Sequence, residues 1–332
     1  MNLKSPVLDS TKSLSFSYPI NNEYPNSVSF SGVHAGFLLA YASSNLIIVL
    51  IEGKYISAVL QGHEQTVCTV SFEIRGPHII SCDVSGKCFF WHYQDSIWQN
   101  SRIVQLDTPI TSASWYTSRR EICYTLKDGL YRSSLTDFGI TSEKLSNKSS
   151  FCTFNYDGTL LASHNKGYTL SIFMFSSNSY LTQVLKHPSQ IVTFDFHPSL
   201  PSFLTITKDH ILRIWRQSIL SGFACTAAVK VPLIGFFVKN PFFYSDPSSF
   251  GPQKPTTILF VSPQHKFYKL KVEENGLIKN AEDGNPFRNV PISDDFGYRA
   301  VYKTNLGTET IIVSQKKISI VSRQKTRELL FH

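Results

Sequence analysis

Two stretches of this chain share one layout. HEQTVCTVSFEIRGPHIISCDVSGKCFFW runs from His63 to Trp91, and HPSQIVTFDFHPSLPSFLTITKDHILRIW runs from His187 to Trp215. In each, 28 positions separate the histidine from the tryptophan, and a hydroxyl residue stands ten positions before the tryptophan, Ser81 in one and Thr205 in the other. An aspartate falls near the expected turn of each copy, Asp83 and Asp209. An internal repeat of this kind marks a unit that cannot bury its apolar face alone and must stack on its neighbours.

Equivalent positions recur along the chain wherever a short polar turn is followed by an apolar run. They fall near Leu50 (SSNLIIVL), Trp91 (SGKCFFW), Ser134 (DGLYRSS), Phe173 (KGYTLSIF) and Trp215 (KDHILRIW), at intervals of about 41, 43, 39 and 42 residues. That is the period of a four-stranded propeller blade. Two further hairpins, TTILFVSPQHKFYKLKV and TIIVSQKKISIVSR, place the same mark near Leu270 and Val321. The 25 Phe and 15 Tyr against 2 Met favour strands over helices. The chain therefore reads as all-β, a single domain over residues 1–332 built as a seven-bladed β-propeller of four-stranded antiparallel blades. The last two blades are expected to be irregular, with loop insertions at 240–255 and 275–296. Residues 1–20 supply an N-terminal strand or arm. Either its KSLSFSYP or the C-terminal RELLFH closes the outer edge of the last blade.

The Gly62-His63 pair with Trp91 resembles the WD40-repeat family, whose repeats run from Gly-His to Trp-Asp and build propeller blades. The resemblance implies a hydrogen-bonded network inside the blade, formed by His63, Ser81, Asp83 and Trp91, and in the second copy by His187, Thr205, Asp209 and Trp215. A buried indole N–H and imidazole each need a partner, and a hydroxyl and a carboxylate supply one. This chain departs from the family pattern where His92 and Arg216 follow the tryptophans and where Lys186 precedes His187. Arg119-Arg120-Glu121 differs from the Arg-Arg-Gly of phosphoinositide-binding propellers, and Trp215-Arg216-Gln217-Ser218 from the WDxR of ubiquitin-ligase substrate receptors.

Several function classes find no support in the residues. His63, Ser81 and Asp83 match the types of a nucleophile triad, but a repeated blade network explains both types and spacing. There is no Gly-x-Ser-x-Gly elbow, no phosphate-binding loop and no GxGxxG, so neither a cofactor nor a small-molecule substrate is expected. The 6 cysteines lack CxxC pairing and mostly sit in apolar runs, which reads as reduced core thiols in an intracellular protein of cytoplasm or nucleus, without a metal. MNLKSPVLDSTKSLSF does not resemble a secretory signal. The uncharged run Ala35 to Ile51 approaches the length of a membrane span, but Ser43, Ser44 and Asn45 divide it into two short strands.

What remains is recognition. Phe242, Phe243, Tyr244 and Phe250, in a proline-rich connection, are candidate anchors for a protein partner. Lys316, Lys317, Arg323, Lys325 and Arg327 form the densest basic run in a chain of net charge +8 and are candidates for an anionic ligand. The leading expectation is a non-catalytic protein–protein interaction scaffold, a subunit of a larger complex. The alternative is a propeller that binds nucleic acid, chromatin or an anionic membrane surface through its basic last blade.

Overall fold

The computed structural model describes residues 16–18, 27–31, 38–51, 55–73, 78–116, 121–136, 139–155, 157–164, 167–176, 179–196, 201–218, 222–230, 242–244, 256–261, 267–272, 278–282, 298–303, 309–314, 317–322 and 326–331. Their strands form seven sheets, each with four consecutive antiparallel strands, one of them extended by a strand from the N-terminal region. Blade one is Val28–Ser31, Leu38–Ser43, Leu46–Ile51 and Tyr55–Leu60. Blade two is Val67–Phe72, Ile79–Asp83, Lys87–Gln94 and Ile97–Gln105. Blade three is Ser112–Tyr116, Glu121–Leu126, Gly129–Thr136 and Gly139–Ser146. Blade four is Phe151–Phe154, Leu160–His164, Thr169–Phe175 and Tyr180–Lys186, and blade five is Ile191–Phe196, Ser202–Thr207, Ile211–Ser218 and Gly222–Lys230. Phe242–Tyr244, Thr256–Val261, Phe267–Val272 and Ile278–Glu282 make blade six. Tyr298–Lys303, Glu309–Ser314, Lys317–Ser322 and Thr326–Phe331 make blade seven.

The core lies between blades, which is why the second strands are buried on both faces. Leu38–Ser43, Ile79–Asp83, Leu160–His164 and Ser202–Thr207 are buried at every position. Successive side chains of a strand point to opposite faces, so each blade feeds two cores. Ala40, Ala42 and Val49 pack against Phe72, Ile79 and Trp91. Ile80 and Phe90, on the other face of blade two, pack against Trp115 and Ile122. Tyr116 and Cys123 then meet Phe154 and Phe173, and Leu170 and Ile172 meet Phe194, Phe203 and Trp215. The uncharged run from Ala35 divides as expected into Leu38–Ser43 and Leu46–Ile51, with Ser44 at the turn in a left-handed conformation, φ 52°. No helix among the described residues is long and apolar enough to cross a membrane.

Hydroxyl side chains sew the first strands of neighbouring blades together. Ser29 Oγ accepts from the Phe72 N–H at 2.9 Å, Ser71 Oγ donates to the Ala113 carbonyl at 2.9 Å, and Ser114 Oγ accepts from the Phe154 N–H at 3.0 Å. Between blades two and three these side-chain bonds flank an isolated parallel bridge between Glu73 and Trp115.

Both proposed closing strands are used. Thr326–Phe331 is the fourth strand of blade seven, and Phe16–Tyr18 adds to its outer side in parallel, with Phe16 opposite Leu329 and Tyr18 opposite Phe331. The expected insertions are interrupted by strands: Phe242–Tyr244 lies within 240–255 and Ile278–Glu282 within 275–296. The mark placed at Ser134 is off by one residue. Blade three turns at Lys127-Asp128, where Leu126 pairs directly with Gly129, whereas in blade two the ladder closes with Cys82 opposite Cys88. The shorter turn brings Ser133 onto the tryptophan's face, opposite Ile122.

The blade-two turn makes a strict demand on one residue. Gly86 has φ +86°, and a Cβ there would lie 2.4 Å from the Leu106 carbonyl oxygen, a backbone atom that cannot swing away. Gly86→Ala is expected to cost about 1–3 kcal/mol of folding stability in urea denaturation, through both strain and clash.

Candidate functional site

The residues singled out by the repeat meet inside blade two. Trp91 Nε1–H donates to Ser81 Oγ at 2.8 Å, Ser81 Oγ lies 2.8 Å from His63 Nε2, and His63 Nδ1 lies 2.8 Å from Asp83 Oδ2. The indole can only donate and a carboxylate can only accept, so one proton order satisfies every member. Ser81 donates its hydroxyl proton to Nε2, and Nδ1–H donates to Asp83. This is the neutral imidazole, assigned from its partners. Burial holds the His63 pKa below its ordinary value even with Asp83 beside it.

Asp83 also organises the turn. Its Oδ1 accepts from the Ser85 N–H at 2.9 Å, the Ser85 hydroxyl at 2.6 Å and the Lys87 N–H at 3.2 Å. Burial works against its charge, but hydrogen bonds from Ser85 and His63 outweigh that and keep the carboxyl below its usual range. With its oxygen engaged by both Trp91 and His63 and no surface exposed, Ser81 has no approach path to a substrate, and the four side chains tie the parts of blade two together.

Blade five repeats the inner part of this chain and drops the end. Trp215 Nε1–H donates to Thr205 Oγ1 at 3.0 Å, and Thr205 Oγ1 lies 3.0 Å from His187 Nε2. Asp209, expected as the fourth member, stands apart: it accepts from the Thr207 hydroxyl and faces Arg213 Nη2 at 3.7 Å. The residue in register with Asp83 is Thr207, each two positions beyond the blade hydroxyl. Counting from the hydroxyl, not from the tryptophan, would have found it. His187 Nδ1 has no hydrogen-bond partner among the described residues, and burial lowers the His187 pKa as it does that of His63.

Blades three and four solve the same problem without histidine or tryptophan. Ser133, fully buried, donates to Tyr124 Oη at 3.1 Å and lies 2.8 Å from Ser142 Oγ. In blade four, Ser163 Oγ meets Ser149 Oγ at 2.5 Å, and Ser149 donates to the Phe151 carbonyl at 3.1 Å. Hydroxyl pairs carry no spacing signature, so the sequence did not announce them.

The other candidates are placed differently from expectation. Phe242, Phe243 and Tyr244 belong to the first strand of blade six, in register with Leu259, Ile258 and Thr257, and are not in a connection. A strand position engages the backbone in a ladder, which a free loop anchor would not do. Phe250 lies outside the described residues. Of the basic run, Lys317 stands opposite Leu330 and Arg327 opposite Ile320, while Lys316, Arg323 and Lys325 lie outside the described residues. Cys68, Cys82, Cys88, Cys123 and Cys152 are buried free thiols. Burial pushes the Cys152 thiol up to about 12, far from a reactive thiolate. No group of His, Cys, Asp and Glu among the described residues could hold a metal ion.

Comparison with known proteins agrees with this geometry. The model of the WD domain, G-beta repeat family matches residues 54–92, the outer strand of blade one followed by the first three strands of blade two. No curated protein matches by sequence. Among solved structures, the β-propeller domain of Cps50 (Swd1) from Myceliophteria thermophila superposes with a TM-score of 0.62 at 14% identity, covering 94% of this chain and 99% of that one. Saccharomyces cerevisiae Sqt1 gives 0.61 at 13% identity, over 96% and 89% of the two chains. A chain of the mitotic checkpoint complex gives 0.62 at 14% identity, over 99% and 95%. At such identities the likeness establishes the fold.

The two blades should respond differently to loss of their aspartates. Asp83→Ala leaves a buried imidazole and two turn N–H groups without their acceptor and is expected to cost about 3 kcal/mol or more. Asp209→Ala removes a partly exposed turn contact and should cost about 1 kcal/mol or less, both read from urea denaturation. Acid should destabilise the protein. The pKa values of His63, His78 and His187 are all lowered in the fold, so below the ordinary value of 6.5 the unfolded chain binds protons the folded one does not. The histidine contribution should be level above that pH and fall beneath it, and His63→Gln should flatten part of that slope.

Proposed function

Starting from a chain that carries a WD40 repeat and the propeller fold, we propose that it serves as a non-catalytic interaction scaffold, one subunit of a multi-protein assembly. One observation carries the reading: among the described residues, the constellation with enzyme-like residue types, His63, Ser81 and Asp83, is buried and fully engaged in holding its own blade. A propeller whose polar chemistry is directed inward has its faces and outer strands left for contact. The mitotic checkpoint complex, which contains a structurally similar chain, is an example of such a fold at work in an assembly. The buried free thiols fit a reducing, intracellular setting, cytoplasm or nucleus.

The reading is tested by sizing the protein in native extract. It is expected to migrate well above its own 37.5 kDa, together with a constant set of proteins, and to return to its own mass once purified away from them. Migration as a free monomer in extract would sink the scaffold reading. The aromatic candidates allow a second measurement: a Phe242/Phe243/Tyr244 triple alanine variant is expected to lose folding stability as well as any partner, because a sheet strand is being altered.

A further inference from the structure

On one face of the propeller, exposed lysines stand outside any ion pair among the described residues. The chain runs alternately up and down each blade, so the turns between second and third strands and the links between blades open on a single face, the one that also holds His63. Over blades three to five, exposed lysines gather there: Lys127 in the blade-three turn, Lys148 in the link to blade four, Lys186 at the end of blade four, and Lys208 in the blade-five turn. The described acids of these same loops are already engaged. Asp128 pairs with Lys144 at 2.7 Å, and Asp209 with Arg213 at 3.7 Å. Glu143, on the outer strand of blade three, and Asp107, on the link before it, are exposed acids outside such a pair among the described residues. None of the four lysines takes part in an ion pair among the described residues.

These loops form a connected strip. The His187 N–H donates to the Tyr168 carbonyl at 2.7 Å, the Ile191 N–H to the Gly167 carbonyl at 2.8 Å, and the Lys208 N–H to the Gln190 carbonyl at 2.9 Å. The blade-four turn, the link and the blade-five turn are thus held together by backbone bonds, a preorganised support for the side chains they carry. Tyr168, in its middle, leaves 59% of its surface exposed. A further sign is His210. It holds a left-handed φ of 63° at the place where blade two has Gly86, each closing its turn with an N–H bond to the last residue of the second strand. Keeping a side chain at a position that favours glycine goes against stability, and such choices concentrate where a surface has work to do.

We infer that this strip, centred on Tyr168, Lys186 and Lys208, is the docking surface for an acidic segment of a protein partner. The inference rests on the scaffold reading and adds to it the chemistry of what is held. Unpaired lysines on a fixed frame attract carboxylates, and one exposed tyrosine supplies an aromatic anchor. A track for single-stranded nucleic acid would need several stacking rings along the basic groove, and the described residues of the strip offer Tyr168 alone.

The test uses the purified full chain and a fluorescently labelled poly-glutamate peptide, titrated from about 50 to 200 mM salt, with single-stranded DNA as the competing probe. Wild-type protein is expected to bind the peptide, more weakly as salt rises. Lys186→Glu/Lys208→Glu should lose about tenfold or more in affinity with an unchanged melting temperature, while Lys316→Glu/Lys317→Glu in the last blade should bind as wild type. His210→Gly guards against a folding artefact, since it should raise the melting temperature while weakening binding. Equal affinity in wild type and the Lys186/Lys208 variant overturns the inference, as does tighter binding of DNA than of peptide at matched salt. A protein that sits in a native assembly yet ignores poly-glutamate defeats this inference and leaves the scaffold reading standing; one found alone in extract defeats the scaffold reading instead.

Discussion

A single proton order runs through blade two, from the Trp91 indole to Ser81, from Ser81 to His63, and from His63 to Asp83. Each member is buried, and each would cost free energy if left alone in an apolar interior. Joined in sequence they cost little, because every donor has an acceptor and the carboxylate at the end is compensated by turn N–H groups. Their geometry also ties three separate parts of the chain together: the link from blade one, the second strand and the third strand. The matched family segment, 54–92, is offset from the blade by one strand for this reason. It begins in blade one and ends in blade two, so the histidine arrives on the link that joins them.

Around that fastening, stability is spread over the contacts between blades. No single large core exists among the described residues; Trp91, Trp115, Phe173 and Trp215 each belong to a different interface between neighbours. An arrangement of stacked units has two ends to protect, and the ring disposes of them by bringing the first strand of blade one, Val28–Ser31, beside Tyr298–Lys303 of blade seven. Phe16–Tyr18 then covers the outer edge of Thr326–Phe331, the place where an open strand would otherwise offer unpaired backbone groups.

The same loops serve two purposes on one face. Their buried side chains, His63 and His187, complete the blade networks, and their exposed ones, Lys148, Lys186 and Lys208, meet solvent. A surface backed in this way is stiff, since moving Lys208 would disturb the bond between its N–H and Gln190, and the turn it belongs to closes on Thr207. Around blade five, the buried His187 network and the proposed docking strip are therefore parts of one construction, with buried polar groups behind the exposed lysines.

The sequence by itself determined the strand content, the positions of most turns, the period near 40 residues and the meeting of His63 with Ser81 and Trp91. These are legible because alternation, turn residues and a repeated spacing are properties of a hairpin and its immediate neighbour. Only the tertiary structure decided that Thr207 and not Asp209 stands where Asp83 does, that Ser133 and not Ser134 lies on the tryptophan's face, and that Phe242–Tyr244 is a strand. Register is the physical reason. One residue more or less in a turn moves every following side chain to the other face of the sheet, and a strand in an irregular stretch is defined only by the strand it pairs with.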